Sequence, residues 1–406
     1  MTAPPPRRGY GWLLGSTVGA AMGDGLSMTA LPLLIASQTR DPLVVSLLQV
    51  ASGLPWLLFG LAAGALVDRW DRRTVMWRTD LARVGVALAL GLLVVLDRAS
   101  VALILVAAFL LASGATLIRS AAPALLPTLV EREDLAAANG RLHAGAMLSG
   151  SFAGPSLGGA LYATSAASPV IAQTLSLIFS ALCAARIPKT TTAPSPPRDR
   201  RSIRQEAADG VRWLASHRAL RSIATGTVLL SAATGVLLAV LVIHTLDFLR
   251  LPPTGYGILI SVYAIGSVAG SLLTSRLHRS LGTNRCLLAS ALLGAVTIGA
   301  LALAPTPILA GCALFGLGVA TMLWNTLAVT IRQELTPRHL LGRVTSAFNL
   351  VGIGVSPIAA LLGGLIASLA NTSLAIGVAS LLCAIACVFL WRLPEIDQAI
   401  AAARKD

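Results

Sequence analysis

The sequence predicts an all-α membrane protein with twelve spanning helices in two six-helix halves, and three observations carry that prediction. The composition is 55% apolar and 12% charged over 406 residues, and mean hydropathy is +0.79, outside the range of soluble globular domains. Apolar runs of about 20 residues, each enough to cross ~30 Å of hydrocarbon as a helix, recur along the whole chain. The basic residues cluster at alternate ends of these runs. Of 31 Lys and Arg, only Arg40, Arg98 and Arg250 fall on one side of a twelve-span topology. The excess marks the other side, with both termini, as cytoplasmic, and a single missed span would scramble the asymmetry.

The first six runs fall at 12–36, 44–66, 78–96, 101–121, 142–162 and 168–186. The second six fall at 223–247, 254–275, 286–304, 307–329, 344–369 and 372–391. They are apolar on every face and twice too long for the alternating strands of a membrane barrel. The start, MTAPPPRRGYG, leads into a run too long for a signal-peptide core and has no obvious cleavage site, so the first run is expected to stay as a span.

Near the midpoint, residues 187–201 (IPKTTTAPSPPRDRR) form the only long polar, Pro-rich break and read as a cytoplasmic linker. After it, Ile203, Ala207, Val211 and Leu214 alternate at helical spacing with Arg204, Gln205, Asp209 and Arg212. That pattern fits a helix lying on the inner membrane surface or, equally, a cytosolic interaction helix. The expected organisation is a bundle at 1–186, a linker with amphipathic helix at 187–221, and a second bundle at 222–406. A faint repeat at an offset of 205 residues joins them: Leu135 maps to Leu340 and Gly158–Gly159 to Gly363–Gly364, while Gly64 aligns with Gly270 one residue later.

The net charge of +14 follows from the cytoplasmic bias and from contact with anionic lipids, so no nucleic-acid partner is implied. Cys183, Cys286, Cys312, Cys383 and Cys387 all lie in or beside apolar runs without C-x-x-C or Cys/His spacing, and read as small core residues rather than metal or redox ligands. No P-loop, G-x-S-x-G or paired carboxylates in a shared apolar site supports an enzyme, and no cofactor is implied. Without a nucleotide site, the energy for any transport comes from an ion gradient, and a proton gradient is the economical reading.

Two motifs narrow the function. Gly150 to Gly159 reads GSFAGPSLGG, which by chance would occur in roughly one chain of this length in a thousand. Gly150, Gly154 and Gly158 recur every four residues and make a side-chain-free stripe for close helix approach. Pro155 removes one helix hydrogen bond and favours a bend. Between spans two and three, Gly64-Ala-Leu-Val-Asp68-Arg69-Trp-Asp71-Arg72-Arg73 offers a close-approach glycine and a charged latch. These segments resemble the antiporter motif and the inner-loop signature of the major facilitator superfamily, with Asp71 standing where that signature has Gly. An extra carboxylate there is expected to pair with Arg72 or Arg73. The stretches MGDGLSMTALPLLI, LPWLLFGLAAGALVDRWDRR, LVEREDLAAANGRL and LLGRVTSAFNL are similar to the enterobactin-exporter and macrolide-efflux branch of drug:proton antiporters. The resemblance covers the whole chain. It implies the two-bundle fold of that superfamily and export of a drug, natural product or siderophore from a bacterial cytoplasm. In that family the fifth-helix motif disfavours leak.

Asp24 is the acidic residue expected near the bilayer midplane. A charge there costs about 3 kcal/mol on insertion scales, so it is a candidate to couple proton movement to transport. The alternative is a hydrogen-bonded group that helps helices pack between Gly23 and Gly25. Asp80 and Arg83 are expected to form a structural i,i+3 pair. Arg119 lies too far along span four to be the mid-helix arginine of such antiporters, where Gly114 stands instead. His244 and Asp247 read as an exposed interfacial pair. Gln49, Trp56, Trp324 and Asn325 are candidates to line an amphipathic substrate cavity, or to serve in packing and interhelical hydrogen bonds. The function expected is a monomeric secondary exporter of an amphipathic small molecule in the inner membrane, by proton antiport, with substrate, protons and lipids as its partners. The alternatives are a binding or sensor protein that has lost transport, or a proton-coupled importer.

Overall fold

The computed structural model describes residues 8–67, 70–188, 212–337 and 340–391. Among them there is no strand, and twelve long helices account for nearly all of the chain. In chain order the first six are α1 (Arg8–Gln38), α2 (Pro42–Val67), α3 (Arg72–Val95), α4 (Val101–Leu125), α5 (Leu135–Met147, a π turn Leu148–Ala153, then Gly154–Thr164) and α6 (Ser168–Arg186). The second six are α7 (Arg218–Ile243, continued as a π turn His244–Phe248), α8 (Pro253–Leu281), α9 (Thr283–Leu303), α10 (Pro307–Leu335), α11 (Leu341–Leu369) and α12 (Thr372–Trp391).

Ten of these helices are long and apolar enough to cross a bilayer by composition alone. The other two have evident reasons to miss that test. The first half of α3 carries Arg72, Arg73, Arg78, Asp80 and Arg83, and α5 starts polar and is interrupted by its π turn. Several helices overrun their apolar runs: α8 continues to Leu281 and α10 to Leu335. Hydropathy marks the depth of hydrocarbon, whereas the helix continues into the polar zone beyond it. Leu92, Leu175, Leu303, Ile308 and Leu369 are exposed, as expected of side chains that face lipid rather than water.

By their contacts the residues form two compact units, one of Met1–Thr39, Ala51–Arg198 and Pro252–Ser261, the other of Arg40–Val50, Asp199–Leu251 and Val262–Asp406. In the first unit α1 packs on α5 and α6, and α3 on α4 and α6. In the second unit α7 packs on α11 and α12, and α9 on α10 and α12. The two lists are the same with every helix advanced by six, which is the parallel repeat seen faintly in sequence. The Gly-Gly pair is reused with it. A Cβ on Gly158 would stand 3.1 Å from the Leu26 carbonyl of α1, and one on Gly363 2.8 Å from Val236 of α7. Likewise a Cβ on Gly159 would meet Gly257 at the start of α8, and one on Gly364 would meet Ser46 at the start of α2.

Pro155 behaves differently from a simple kink. The hydrogen-bond ladder is already widened into the π turn at Leu148–Ala153, and Pro155 follows in the first turn of the regular helix, where its missing N–H matters least. Of the cysteines, Cys183, Cys286 and Cys383 are buried as expected and Cys387 is half-buried, but Cys312 is exposed on α10. The expected linker and amphipathic helix lie largely outside the described residues; 212–216 form one helical turn with Leu214 buried.

Backbone approach also sets the limits of substitution in the second unit. A Cβ on Gly318 of α10 would run into the Tyr263 carbonyl and stand 2.7 Å from the Ser267 nitrogen of α8. Gly318→Val should therefore destabilise the fold by about 1–3 kcal/mol through overpacking, read as a lower thermal midpoint in detergent, whereas the same change at Gly311, which has open space around it, should leave the midpoint nearly unmoved.

Candidate functional site

Three helices of the first unit converge on Arg83. The side chain leaves α3 fully enclosed, 2% exposed, and hydrogen-bonds Asp24 of α1. Its other terminal nitrogen lies 3.3 Å from Asp80, one turn earlier on α3. Asp80 is completely buried and accepts a 2.5 Å hydrogen bond from Ser180 of α6. The Ser16 hydroxyl of α1 lies 3.1 Å from Ser180 and extends the chain. Arg119 of α4 stands 3.8 Å from the other Asp24 oxygen but is itself 75% exposed. Such a loose, solvated contact contributes little.

The room for Arg83 comes from Gly114. A Cβ at that position would stand 2.6 Å from Cδ of Arg83, 2.7 Å from Cγ and 3.1 Å from Thr79. Where the resemblance leads to the expectation of an arginine on helix four, the structure has a notch on helix four filled by an arginine from helix three. Asp80 and Arg83 are thus paired as expected, but within a three-residue ion cluster rather than as an isolated pair. Spacing could not reveal this, because Asp24 is 59 residues from Arg83 in the chain.

The glycine stripe of α5 seats the helix that carries Asp24. A Cβ on Gly150 would stand 3.0 Å from the Ala21 carbonyl, and one on Gly154 2.7 Å from Cα of Gly25. Across the same seam Thr29 donates to the Pro155 carbonyl at 3.2 Å. On the opposite side of α1, a Cβ on Gly23 would meet Leu177 of α6 at 3.3 Å. Asp24 is therefore held at a fixed depth between two close helix contacts and remains 27% exposed. It is the member of the cluster that water can reach.

In the inner-loop motif, Asp68 and Arg69 lie outside the described residues, and Gly64 is placed only as part of α2. Asp71 departs from the expected pairing with Arg72 or Arg73. It is the N-cap of α3, accepting from the Thr74 amide at 3.2 Å and the Thr74 hydroxyl at 2.5 Å. The arginines reach helix ends instead. Arg72 donates to the Ala124 carbonyl at 2.9 Å and Arg73 to the Ala185 carbonyl, at the C-termini of α4 and α6, where cations complement the dipole.

The expected His244–Asp247 pair does not form. His244 is fully buried, with Nδ1 3.0 Å from the Thr372 hydroxyl, Nε2 3.3 Å from the Leu301 carbonyl, and its ring stacked on Phe248. Asp247 pairs with Arg40 at 3.2 Å. The π turn at His244–Phe248 is the reason: it breaks the 3.6-residue period that would put i and i+3 on one face.

The second unit contains a partly open cavity of about 440 Å³ lined by α7, α9, α10, α11 and α12. Trp324 and Asn325 line it, as the sequence suggested; Gln49 and Trp56, half-buried on α2, are not among its lining residues. The Trp324 indole donates to Thr227 at 3.0 Å, and its ring edge lies over Gly226, where any Cβ would collide with it. Thr234, Ser290 and Thr321, which also line it, donate their hydroxyls to carbonyls of their own helices. No group of metal-ligating side chains occurs among the described residues.

A family model described as "Transmembrane secretion effector" matches residues 2–406. Among relatives, the "Multidrug efflux pump Tap" of Mycolicibacterium fortuitum is 28% identical over 95% of this chain and 97% of its own. The "Enterobactin exporter EntS" of Citrobacter koseri is 28% identical over 84% of this chain and 81% of its own. Among solved structures, a peptide transporter in complex with sulfate superposes with a TM-score of 0.77 at 12% identity, covering 97% of this chain and 96% of that one. A bacterial homologue of the iron transporter ferroportin in inward-facing state gives 0.75 at 17% identity, covering 95% and 98%.

The ion cluster sets a graded expectation for stability. Arg83→Leu, which leaves the buried Asp80 carboxylate, and the half-buried Asp24, without their shared cation, should cost about 3–5 kcal/mol, whereas Arg119→Gln, at a solvated position, should stay within about 0.5 kcal/mol. Thermal unfolding of the purified variants in detergent measures both.

Proposed function

The chain belongs to the transmembrane secretion effector family of the major facilitator superfamily, and we propose that it exports an amphipathic small molecule from a bacterial cytoplasm in exchange for protons. The observation that supports this reading best is the charge count of the buried cluster. Two carboxylates, Asp24 and Asp80, share one enclosed guanidinium, while the second cation near Asp24, Arg119, stands 3.8 Å off and solvated, so the enclosed part of the cluster has one carboxylate more than it has cations. Burying an unbalanced charge is costly, and a proton removes the imbalance. Asp24 is the member open to water, so it is the proton-coupling residue. When it takes up a proton its hold on Arg83 weakens and the guanidinium is left to Asp80; when it releases the proton the three-residue cluster re-forms. The hydrogen bonding of one helix to another thus depends on protonation, which is what a proton-coupled conformational cycle needs.

The protein is a multi-pass membrane protein of the inner membrane with both termini cytoplasmic. Its bundles at 1–186 and 222–406, joined by the cytoplasmic segment 187–221, alternate access to the substrate site. It works as a monomer among lipids. Gly150, Gly154, Pro155, Gly158 and Gly159 form its antiporter motif, and Gly64, Asp68, Arg69, Arg72 and Arg73 its cytoplasmic gate. Trp324 and Asn325, with Gln49 and Trp56, contribute to substrate contact. Arg83 in the Gly114 notch supports transport over a member that has lost it, since helix three supplies a cation where helix four has none.

Efflux of dyes, macrolides and siderophores from an exporter-deleted host should be protonophore-sensitive with the wild type, and Asp24→Asn should abolish that component. Asp24→Asn efflux equal to wild type at every pH would remove Asp24 from the coupling role. Single cysteines introduced at 187–201 should react with a membrane-impermeant maleimide only after the cells are opened; labelling in intact cells would invert the topology.

A further inference from the structure

Arg332 is provided for differently from the other enclosed arginines. Arg83 has two carboxylates and Arg72 and Arg73 have helix carbonyls, but Arg332, 7% exposed in the last turn of α10, makes no hydrogen bond or ion pair with any described residue. Its Nε is sealed without a partner, as are those of Arg73 and Arg83, but unlike theirs its terminal nitrogens have none either among the described residues. The Phe348 ring lies over its guanidinium, 4.7 Å away. The side chain lines the 440 Å³ cavity, and no Asp or Glu among the described residues lines it with Arg332. Asn325 and Asn349 line the same cavity, also with no hydrogen bond to another described residue. The helix C-terminus favours a cation here, but it does not fill the guanidinium's N–H fork. An enclosed cation with unfilled donors, facing a cavity without acid groups, is half of an ion pair.

Resting on the export reading, we propose that this cavity takes the anionic group, a carboxylate or similar oxyanion, of an amphipathic cargo. The oxyanion pairs with Arg332, the amides of Asn325 and Asn349 supply further polar contacts, and Trp324 and Phe348 hold the apolar body. The anion discharges the uncompensated guanidinium, so an acid should be preferred to a neutral isostere. The size of that preference follows from a hydrogen bond to a charged group, about ten- to a hundredfold in affinity.

The test uses the full-length protein in phosphatidylcholine nanodiscs with 1-pyrenebutyrate and its neutral amide, 1-pyrenebutyramide, followed by energy transfer from tryptophan to pyrene. Wild type should bind the acid about ten- to a hundredfold tighter than the amide. Arg332→Gln should bring the acid down to the amide's affinity, and Arg332→Lys should retain part of the preference, which separates loss of charge from loss of fold. Equal affinities in wild type, no binding of either probe, or a preference that survives Arg332→Gln would overturn the proposal. Loss of acid binding when phosphatidylglycerol is added to the nanodiscs would assign the site to a lipid headgroup and overturn the cargo assignment. Efflux measured in parallel separates the two readings. Export of neutral dyes without any acid preference overturns the anion site and leaves export standing, whereas acid-selective binding without efflux of any probe upholds the anion site and overturns export.

Discussion

The seating of Arg83 in the notch at Gly114 is the constraint on which the first unit depends. The Arg83 guanidinium is held among the helices because carboxylates and space are both supplied to it, from several different elements. Asp24 comes from α1 and Asp80 from α3, where Ser180 of α6 steadies it, while the space comes from α4. For Asp24 to arrive at that depth, α1 must lie within backbone contact of α5 and α6. This is why Gly19, Gly23 and Gly25 of α1 face the Ser176–Ser180 stretch, Leu177, and the Gly150–Gly154 stripe. The glycine motif and the buried charge are two halves of one arrangement.

The second unit has the same helix packing and none of that charge. At the 205-residue offset, Leu229 stands where α1 has Asp24, Leu288 where α3 has Arg83, and Val319 where α4 has the Gly114 notch. In place of an internal ion cluster this unit has a cavity walled by Trp324, Phe348, hydroxyl oxygens and one enclosed arginine. The repeat has kept its backbone scheme, including the Gly158–Gly159 and Gly363–Gly364 contacts, while its two copies have divided the chemistry: the ion cluster in one, the cavity in the other.

Much of this was legible in the sequence, for physical reasons. Hydropathy measures hydrocarbon depth, so the spans could be read, and the basic residues counted the crossings even for α3, which carries too many charges to pass as a membrane helix. Glycines spaced by four identified a contact stripe, though not that its partner was α1. What was hidden depends on geometry between distant residues or on a broken helical period. Asp24 and Arg83 do not announce each other at 59 residues. Gly114 read as a missing arginine when it is the space for one. His244 and Asp247 share a face only in a regular α-helix, and the π turn removes it. Asp71 read as a spare carboxylate, whereas the Thr74 three residues on makes it an N-cap, a signal the sequence did contain. Arg332 was simply one more cation at the cytoplasmic end of a span, because neither its burial nor its missing partner can be read from composition.

The proposed export is coupled to proton movement at Asp24, and proton release on cargo binding measures that coupling most directly. Purified protein in weakly buffered detergent solution, mixed with a dye that the wild type exports, should acidify the medium, and Asp24→Asn should bind the same dye without acidification. Dye binding that releases no protons from the wild type, or equal release from Asp24→Asn, would contradict the account.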